Sequence, residues 1–238
     1  MPLMPGFVNV DYDDIEAIKA VTSDKTCAVM VEPVQGEGGV NVPDDDYLKQ
    51  IQEWCKANNL VFIVDEVQTG MGRLGTMFGY QRYDVEPDAM TLAKALGSGA
   101  PLGAFLCKDE FSVLVPGDHG STFGGNALTT AAAYAGTKFL IDNDLPSHAR
   151  EMGDHLQRRL NELRSKFSFI SDVRGKGLLV AMEFESDIAG QLLTHANARG
   201  LLLNAVKPNT IRFMPPLNVT ADEIDQATTR LGEALAKI

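Results

Sequence analysis

Apolar residues in the first part of the chain form short uninterrupted runs, separated by segments in which they recur every three or four positions. The runs are rich in β-branched residues and are bounded by turn-forming residues, so they predict buried strands. They lie at residues 26–31, 60–64, 89–92 and 103–107. The helical spacing predicts helices at residues 13–21 and 44–58, and an Ala-rich helix at 127–141. This order of strands and helices predicts an α/β fold with a mainly parallel sheet.

The remainder of the chain has a different pattern, which opens with a long amphipathic helix at residues 146–167. Strands are then expected at residues 178–184, 201–205 and 210–214, and helices at 187–199 and 220–236. Thr220 and Glu223 have the spacing of a capping box, which predicts where the last helix starts. We therefore expect two units, a partial large α/β domain at residues 1–145 and a small α+β domain at residues 146–238.

Composition excludes several classes of protein. The net charge of −11 argues against a nucleic-acid surface, which needs clustered Lys and Arg. The three cysteines have no CxxC spacing, so neither a metal site nor a disulfide framework is expected, and the apolar surroundings of Cys27 and Cys107 predict that both are core residues. No apolar run has the length of a membrane span and the first residues do not resemble a signal peptide, so we expect a cytoplasmic protein without a membrane partner.

Two features around the strand at residues 60–64 indicate a cofactor-binding site. The strand ends on the acidic pair Asp65 and Glu66, and Lys94 is the only charged residue between positions 89 and 107. A lone lysine among apolar residues predicts a buried amine, and both groups would face the crevice where open α/β sheets bind ligands. A cofactor that needs a lysine imine and a carboxylate is pyridoxal phosphate. Taken singly, the acid is more simply a turn former or helix cap, and the lysine a surface loop residue.

Three other positions are candidates for binding anionic groups. Arg212 lies in an otherwise apolar strand and therefore needs an acidic partner or an anionic ligand, of which a structural ion pair is the simpler. Glu37 lies in a glycine-rich loop that could approach a ligand closely, although in isolation a solvated loop acid is the simpler interpretation. Ser121 and Thr122, beside glycines and just before a helix, could donate hydrogen bonds to a phosphate or belong to a loop that caps the helix.

Several motifs together resemble one family. The residues DEVQTG at 65–70 and TLAK at 91–94 resemble the class III aminotransferases of the pyridoxal-phosphate superfamily. The resemblance continues through VEPVQGEGGV at 31–40, GSTFGGN at 120–126 and IRFMPPL at 211–217, so it covers essentially the whole chain. It implies the fold type I architecture of pyridoxal-phosphate-dependent transferases, with pyridoxal 5′-phosphate as cofactor.

The resemblance also implies roles for the residues around the cofactor. Lys94 would form the imine with pyridoxal phosphate and later act as general base, and Asp65 would keep the pyridine nitrogen protonated. Val67 would pack on the ring and Gln68 would hydrogen-bond its phenolic oxygen, and Glu66 in the same motif is expected among the cofactor-binding residues. No metal is implied.

On the substrate side, the matching family arginine binds the substrate α-carboxylate, so Arg212 is expected to do so and to pair with Glu37 when no carboxylate is present. Thr122 would reach the phosphate of the cofactor in a neighbouring subunit, which implies a homodimer. Ser121 beside it is expected to bind the substrate.

The implied reaction transfers an amino group from a terminal amine to 2-oxoglutarate, giving a semialdehyde and glutamate. The residues of the motifs favour N-acetylornithine as the amino donor, and hence a role in arginine biosynthesis. Ornithine, 4-aminobutyrate, or a non-catalytic remnant that binds no cofactor are the alternatives. Family members carry a long N-terminal portion before the point where this sequence starts, so we expect the chain to correspond to the C-terminal part of such an enzyme.

Overall fold

The computed structural model describes residues 4–238, which fold into two four-stranded sheets with helices packed against them. The α-helices are α1 (Ile15–Val21), α2 (Tyr47–Asn58), α3 (Ala127–Asp142), α4 (Leu145–Lys166), α5 (Ala189–Asn197) and α6 (Ala221–Leu235). The strands of the first sheet are β1 (Ala28–Val31), β2 (Val61–Asp65), β3 (Ala89–Leu92) and β4 (Ala104–Cys107). Those of the second sheet are β5 (Ile170–Lys176), β6 (Leu179–Phe184), β7 (Asn204–Lys207) and β8 (Thr210–Phe213).

The first sheet has the order β1-β2-β3-β4, with β1, β2 and β3 parallel and β4 antiparallel to β3. The expected mainly parallel sheet is therefore confirmed. Val31 pairs with Val64 and Asp65 pairs with Thr91, so the carboxyl ends of three neighbouring strands lie at the same edge. This edge is where ligands bind in open α/β sheets.

Only one face of this sheet is covered within the described chain. Phe62 and Val64 of β2 point into a core shared with Leu48 and Ile51 of α2. The alternate residues of the strands lie on the other, partly open face, and Met30 on β1 is 55% exposed there. The prediction that Cys27 is a core residue is wrong. Cys27 lies just before β1, which is the edge strand of this sheet, and it is exposed.

The second sheet is antiparallel, in the order β5-β6-β8-β7. Strand β6 and helices α4, α5 and α6 share a core that includes Leu160, Met182, Leu192, Ile211 and Leu231. The predicted capping box is confirmed, since the Thr220 hydroxyl accepts from the Glu223 N–H and the Glu223 carboxylate accepts from the Thr220 N–H. Strand β5 is not among the predicted strands, and β7 lies three residues later than predicted at its start.

The two sheets are joined through the glycine-rich loop that follows β2. Arg73 in this loop donates from Nη1 to the carbonyl oxygens of Leu178 and Pro215, at 3.1 and 2.7 Å. Burial lowers the pKa of Arg73 to about 10. The predicted division between residues 145 and 146 falls in the first turn of α4 and stays a prediction. Within residues 4–238, none of the helices combines the length and apolarity that a membrane crossing requires.

Candidate active site

Asp65 is the last residue of β2, at the edge where the three parallel strands end. Its Oδ1 atom accepts hydrogen bonds from the Val67 N–H, at 2.9 Å, and from the Thr91 hydroxyl, at 3.0 Å. These two bonds fix the orientation of the carboxylate. In the described part of the chain no donor is bonded to Oδ2, which can therefore accept a hydrogen bond from a ligand N–H.

Lys94 follows β3 and opens a short 3₁₀ helix, Lys94–Gly97, with the lysine itself at a positive φ of 41°. The expectation that Lys94 is buried is wrong, since its side chain is exposed. Its neighbours Ala95, Ser98 and Gly99 are exposed as well, so the segment after β3 does not enclose the amine. The charge of Lys94 opposes the rise that burial causes in the pKa of Glu32, and it adds to the lowering that the Arg212 and Gln68 hydrogen bonds cause in the pKa of Glu37, so the amine lies within electrostatic range of both carboxylates.

Glu32 is a site residue that sequence reasoning missed. It directly follows β1, as Asp65 ends β2, and the register of the two strands places them side by side. Its Oε2 accepts from the Gly36 N–H at 3.1 Å, and burial, reinforced by the charge of Asp65, raises the pKa of Glu32 above its ordinary value. The signal was available, since both acids terminate an apolar run at the same edge.

Glu66 is fully buried and does not face the site. Its carboxylate accepts from the Thr69 hydroxyl at 2.6 Å and from the N–H groups of Gly79 and Tyr80, at 2.9 and 2.8 Å. The prediction that Glu66 contacts the cofactor does not fit this geometry, because both carboxylate oxygens are used inside the protein. Glu66 instead holds the loop after β2 against the turn at Gly79.

Arg212 on β8 forms an ion pair with Glu37, in the loop after β1. The expectation that Arg212 has an acidic partner is confirmed. Gln68 bridges the pair, accepting from Arg212 Nη1 at 3.1 Å and donating to Glu37 Oε2 at 3.2 Å. The bond from Arg212, with a smaller contribution from Gln68, lowers the pKa of Glu37. Arg212 also donates from Nη2 to Asn204 Oδ1, at 2.8 Å, a partner that the sequence did not reveal.

Ser121 and Thr122 lie in an exposed loop before α3. The Ser121 hydroxyl accepts from the Gly124 N–H at 2.9 Å, and Asn126 caps α3 by accepting from the N–H groups of Leu128 and Thr129. Within residues 4–238, no hydrogen bond joins Ser121 or Thr122 to Asp65 or Lys94. Their predicted roles therefore depend on a second subunit and stay predictions.

Lys94 and a fixed carboxylate thus follow neighbouring parallel strands, and a paired arginine lies at the same edge. This arrangement is a candidate ligand site on an α/β sheet, and comparison with known proteins identifies the family. The family described as aminotransferase class III matches residues 8–235. The chain belongs to the class III aminotransferases.

Individual relatives agree with this assignment. The acetylornithine aminotransferase of Caldanaerobacter subterraneus is 43% identical over 237 residues, which are 100% of this chain and 60% of that protein. The structure of acetylornithine aminotransferase from Elizabethkingia anophelis superposes with a TM-score of 0.94 at 38% identity, over 100% of this chain and 61% of that one.

An ornithine aminotransferase is similar to the same degree. Its structure, from Toxoplasma gondii, superposes with a TM-score of 0.95 at 38% identity and covers 100% of this chain and 57% of that one. That enzyme is described with partial occupancy of pyridoxal phosphate at its active site. The fold type I architecture predicted from the motifs is confirmed, and the family indicates pyridoxal phosphate as its cofactor. The chain spans about three-fifths of the length of the relatives it matches.

Proposed function

We propose that this chain carries the lysine, the ring-binding carboxylate and the carboxylate-binding arginine of an aminotransferase that transfers an amino group from N-acetylornithine to 2-oxoglutarate. The observation that carries the proposal is the placement of Asp65 and Lys94 after neighbouring parallel strands, with the Arg212–Glu37 pair at the same edge. The donor set fits pyridoxal phosphate, because Asp65 presents a free carboxylate oxygen and Lys94 an exposed amine.

Each of the site residues has a separate role in the proposed reaction. Bound pyridoxal phosphate supplies an electron sink that stabilises negative charge on the substrate carbon. The Lys94 amine would hold the cofactor covalently and, once displaced, would take the proton from the substrate carbon onto its own nitrogen. Asp65, through its free Oδ2, would keep the ring nitrogen protonated. Val67 would pack beside the ring, and Gln68, whose amide nitrogen keeps one hydrogen beyond its bond to Glu37, would donate to the phenolic oxygen.

Arg212 orients the substrate by binding its α-carboxylate with two parallel N–H donors. Glu37 forms an ion pair with the Arg212 guanidinium when no substrate carboxylate is bound. The name of the Caldanaerobacter relative supports acetylornithine, and with it a step of arginine biosynthesis. The Toxoplasma structure supports ornithine as the second candidate amino donor. Both donors carry the α-carboxylate that Arg212 would bind.

The proposal includes a homodimer, with Thr122 binding the cofactor phosphate of the partner subunit, Ser121 on the substrate side, and a cytoplasmic location. Two observations support the dimer. Ser121 and Thr122 are exposed on a loop whose hydroxyls, within residues 4–238, form no hydrogen bond to Asp65 or Lys94. Helix α3, which follows this loop, exposes the large apolar residues Leu128 and Tyr134.

Covalent trapping of the cofactor tests the proposal. The chain is incubated with pyridoxal phosphate, the lysine linkage is reduced with borohydride, and the modified lysine is located by mass spectrometry. Labelling concentrated on Lys94, with a matching absorbance band that Lys94→Ala abolishes and the exposed Lys166→Ala retains, is the expected result. Equal labelling of many lysines, or a band that survives in Lys94→Ala, would contradict it.

The same spectrum separates the candidate functions. Loss of the band on addition of acetylornithine, but not of ornithine or 4-aminobutyrate, supports acetylornithine as the amino donor. Loss of the band with ornithine alone supports ornithine. A folded chain without any Lys94-dependent band favours the non-catalytic alternative.

A further inference from the structure

Asn204 and Arg212 face each other across two antiparallel strands. Asn204 is the first residue of β7, and the backbone register pairs it directly with Arg212 on β8. Residues that are directly opposite in an antiparallel pair project from the same face of the sheet. The Arg212 Nη2 atom donates to Asn204 Oδ1 at 2.8 Å. Because a guanidinium has no acceptor, only the carbonyl side of the asparagine amide can make this bond.

The hydrogen bonds of Arg212 divide into exchangeable and fixed ones. A guanidinium has five N–H donors. Nη1 donates to both Glu37 and Gln68, and Nη2 donates once, to Asn204. One hydrogen on Nη2 and the Nε–H have no protein acceptor in the described chain. A ligand carboxylate that displaces Glu37 can therefore accept from Nη1, and the second Nη2 hydrogen and the Nε–H remain as donors for the second bond of the two-pronged geometry that carboxylates favour.

The surroundings of the two charged groups differ. The Arg212 side chain is 13% exposed, whereas that of Glu37 is 73% exposed. Arg212 belongs to a strand that is bonded on both sides, to β6 and to β7, whereas Glu37 lies in a loop with glycines at positions 36, 38 and 39. Glu37 can therefore move away from the pair while Arg212 stays in place.

We infer that Asn204 is a positioning residue, which holds the guanidinium of Arg212 in the orientation for an incoming ligand carboxylate while Glu37 is the exchangeable partner. The inference deepens the proposed function, since it rests on the assignment of Arg212 to carboxylate binding. A neutral side chain is required at this position. An aspartate of the same shape would neutralise Arg212 permanently and compete with the ligand.

Two substitutions of Asn204 separate these effects. In Asn204→Asp the shape is kept and a charge is added, whereas in Asn204→Ala the hydrogen bond is removed. Asn204 is exposed, so neither change disturbs the core. Asn161→Asp on the exposed side of α4 adds the same charge away from the site and is the matched control.

Two readouts that need no cofactor follow these variants in the full chain. The first is the pKa of Glu37, from the carboxyl carbon signal in NMR titrations. The second is the affinity for glutarate, a dicarboxylate probe, followed by the Arg212 side-chain nitrogen signals. We expect Asn204→Asp to raise the pKa of Glu37 and to weaken glutarate binding about tenfold, because the added carboxylate repels both. We expect Asn204→Ala to weaken glutarate binding about threefold through the lost hydrogen bond, with Asn161→Asp unchanged.

The outcomes decide the inference separately from the proposed function. Equal glutarate affinity and equal Glu37 pKa in Asn204→Asp and Asn161→Asp would overturn the positioning role. Absence of glutarate binding in the unmodified chain would overturn the carboxylate role of Arg212. Failure of the cofactor-trapping experiment, with the Asn204 effects present, would instead reject the aminotransferase proposal and retain a carboxylate site positioned by Asn204.

Discussion

Arg212 and Glu37 are 175 positions apart in the chain and form an ion pair that joins the two sheets. Arg212 contributes from the antiparallel sheet and Glu37 from the loop after the first strand of the parallel sheet. Gln68, which follows the second parallel strand, bonds both members of the pair. Arg212, Glu37 and Gln68 are therefore parts of one hydrogen-bonded group.

Removing the charge of Glu37 should make Arg212 more available to ligands. In Glu37→Gln the guanidinium keeps its bonds to Gln68 and Asn204 and loses its competing carboxylate. We expect glutarate to bind about five times more tightly at neutral pH, measured by calorimetry, since an exposed ion pair contributes up to about 1 kcal/mol. Glu162→Gln, which breaks an exposed ion pair with Arg159 on α4, should leave the affinity unchanged. An unchanged affinity in Glu37→Gln would show that Glu37 does not compete for Arg212.

The pH dependence of stability follows from the same pair. The Arg212 bond lowers the pKa of Glu37 in the folded chain. A group whose pKa is lower in the folded state stabilises the fold above its ordinary pKa, and this stabilisation is lost as pH falls through the lowered value. The stability difference between the unmodified chain and Glu37→Gln, from denaturant unfolding, should therefore be present at pH 7 and disappear under acidic conditions.

Glu66 should be essential to the structure of the loop after β2. Its carboxylate accepts three hydrogen bonds, two of them from backbone N–H groups. In Glu66→Gln one oxygen becomes an NH₂ group that faces a donor, so we expect a loss of about 2 kcal/mol in the free energy of unfolding. Chemical denaturation measures this loss, and Glu53→Gln on the α2 surface serves as control. A loss below that of the control would mean that the loop rearranges around the amide.

Two helical glycines should respond in opposite ways to the same substitution. A Cβ on Gly153 of α4 would lie 2.2 Å from the carbonyl oxygen of Gly177, which is backbone and cannot move aside cheaply. A Cβ on Gly190 of α5 would meet nothing within 4 Å. We expect Gly153→Ala to lower the free energy of unfolding by about 3 kcal/mol, and Gly190→Ala to raise it by about 0.5 kcal/mol. Thermal unfolding checks both, and a stabilised Gly153→Ala would show that α4 can shift away from the turn at Gly177.

Local pattern was sufficient for most of the elements but not for β5. The alternation of side chains along β5 is interrupted by a bulge between Ile170 and Asp172. Gly175 in the same strand has a φ of 153°, which an alternating pattern of residues does not predict. The strand consequently lacks the period of two that predicts strands. In contrast, β2 is a short apolar run, and its prediction, with Asp65 at the end, agrees with the structure.

The site shows the same division between local and tertiary information. Successive side chains of a strand alternate between faces, so Asp65 and the following Glu66 could not both face the crevice, and this rule predicts the inward position of Glu66. The exposure of Lys94 could not be predicted, because it depends on which elements cover the sheet and not on the neighbours of Lys94 in sequence. Asn204 was missed for a related reason, since its contact with Arg212 depends on the register of two strands.

The apolar surface of α3 should make the chain associate with itself. Leu128 is 79% exposed on this helix, and Tyr134, Phe139 and Ile141 are exposed as well. Apolar surface of this extent is normally covered in soluble proteins, so we expect oligomers or aggregates in solution, detected by light scattering after size exclusion. Leu128→Lys should reduce the association, because burying the new charge opposes contact. Leu202→Lys, at an 86% exposed leucine before β7, adds the same charge elsewhere and should leave it unchanged. A chain that is monomeric at all concentrations would contradict this prediction, and equal effects of the two substitutions would show that net charge, and not the α3 surface, controls association.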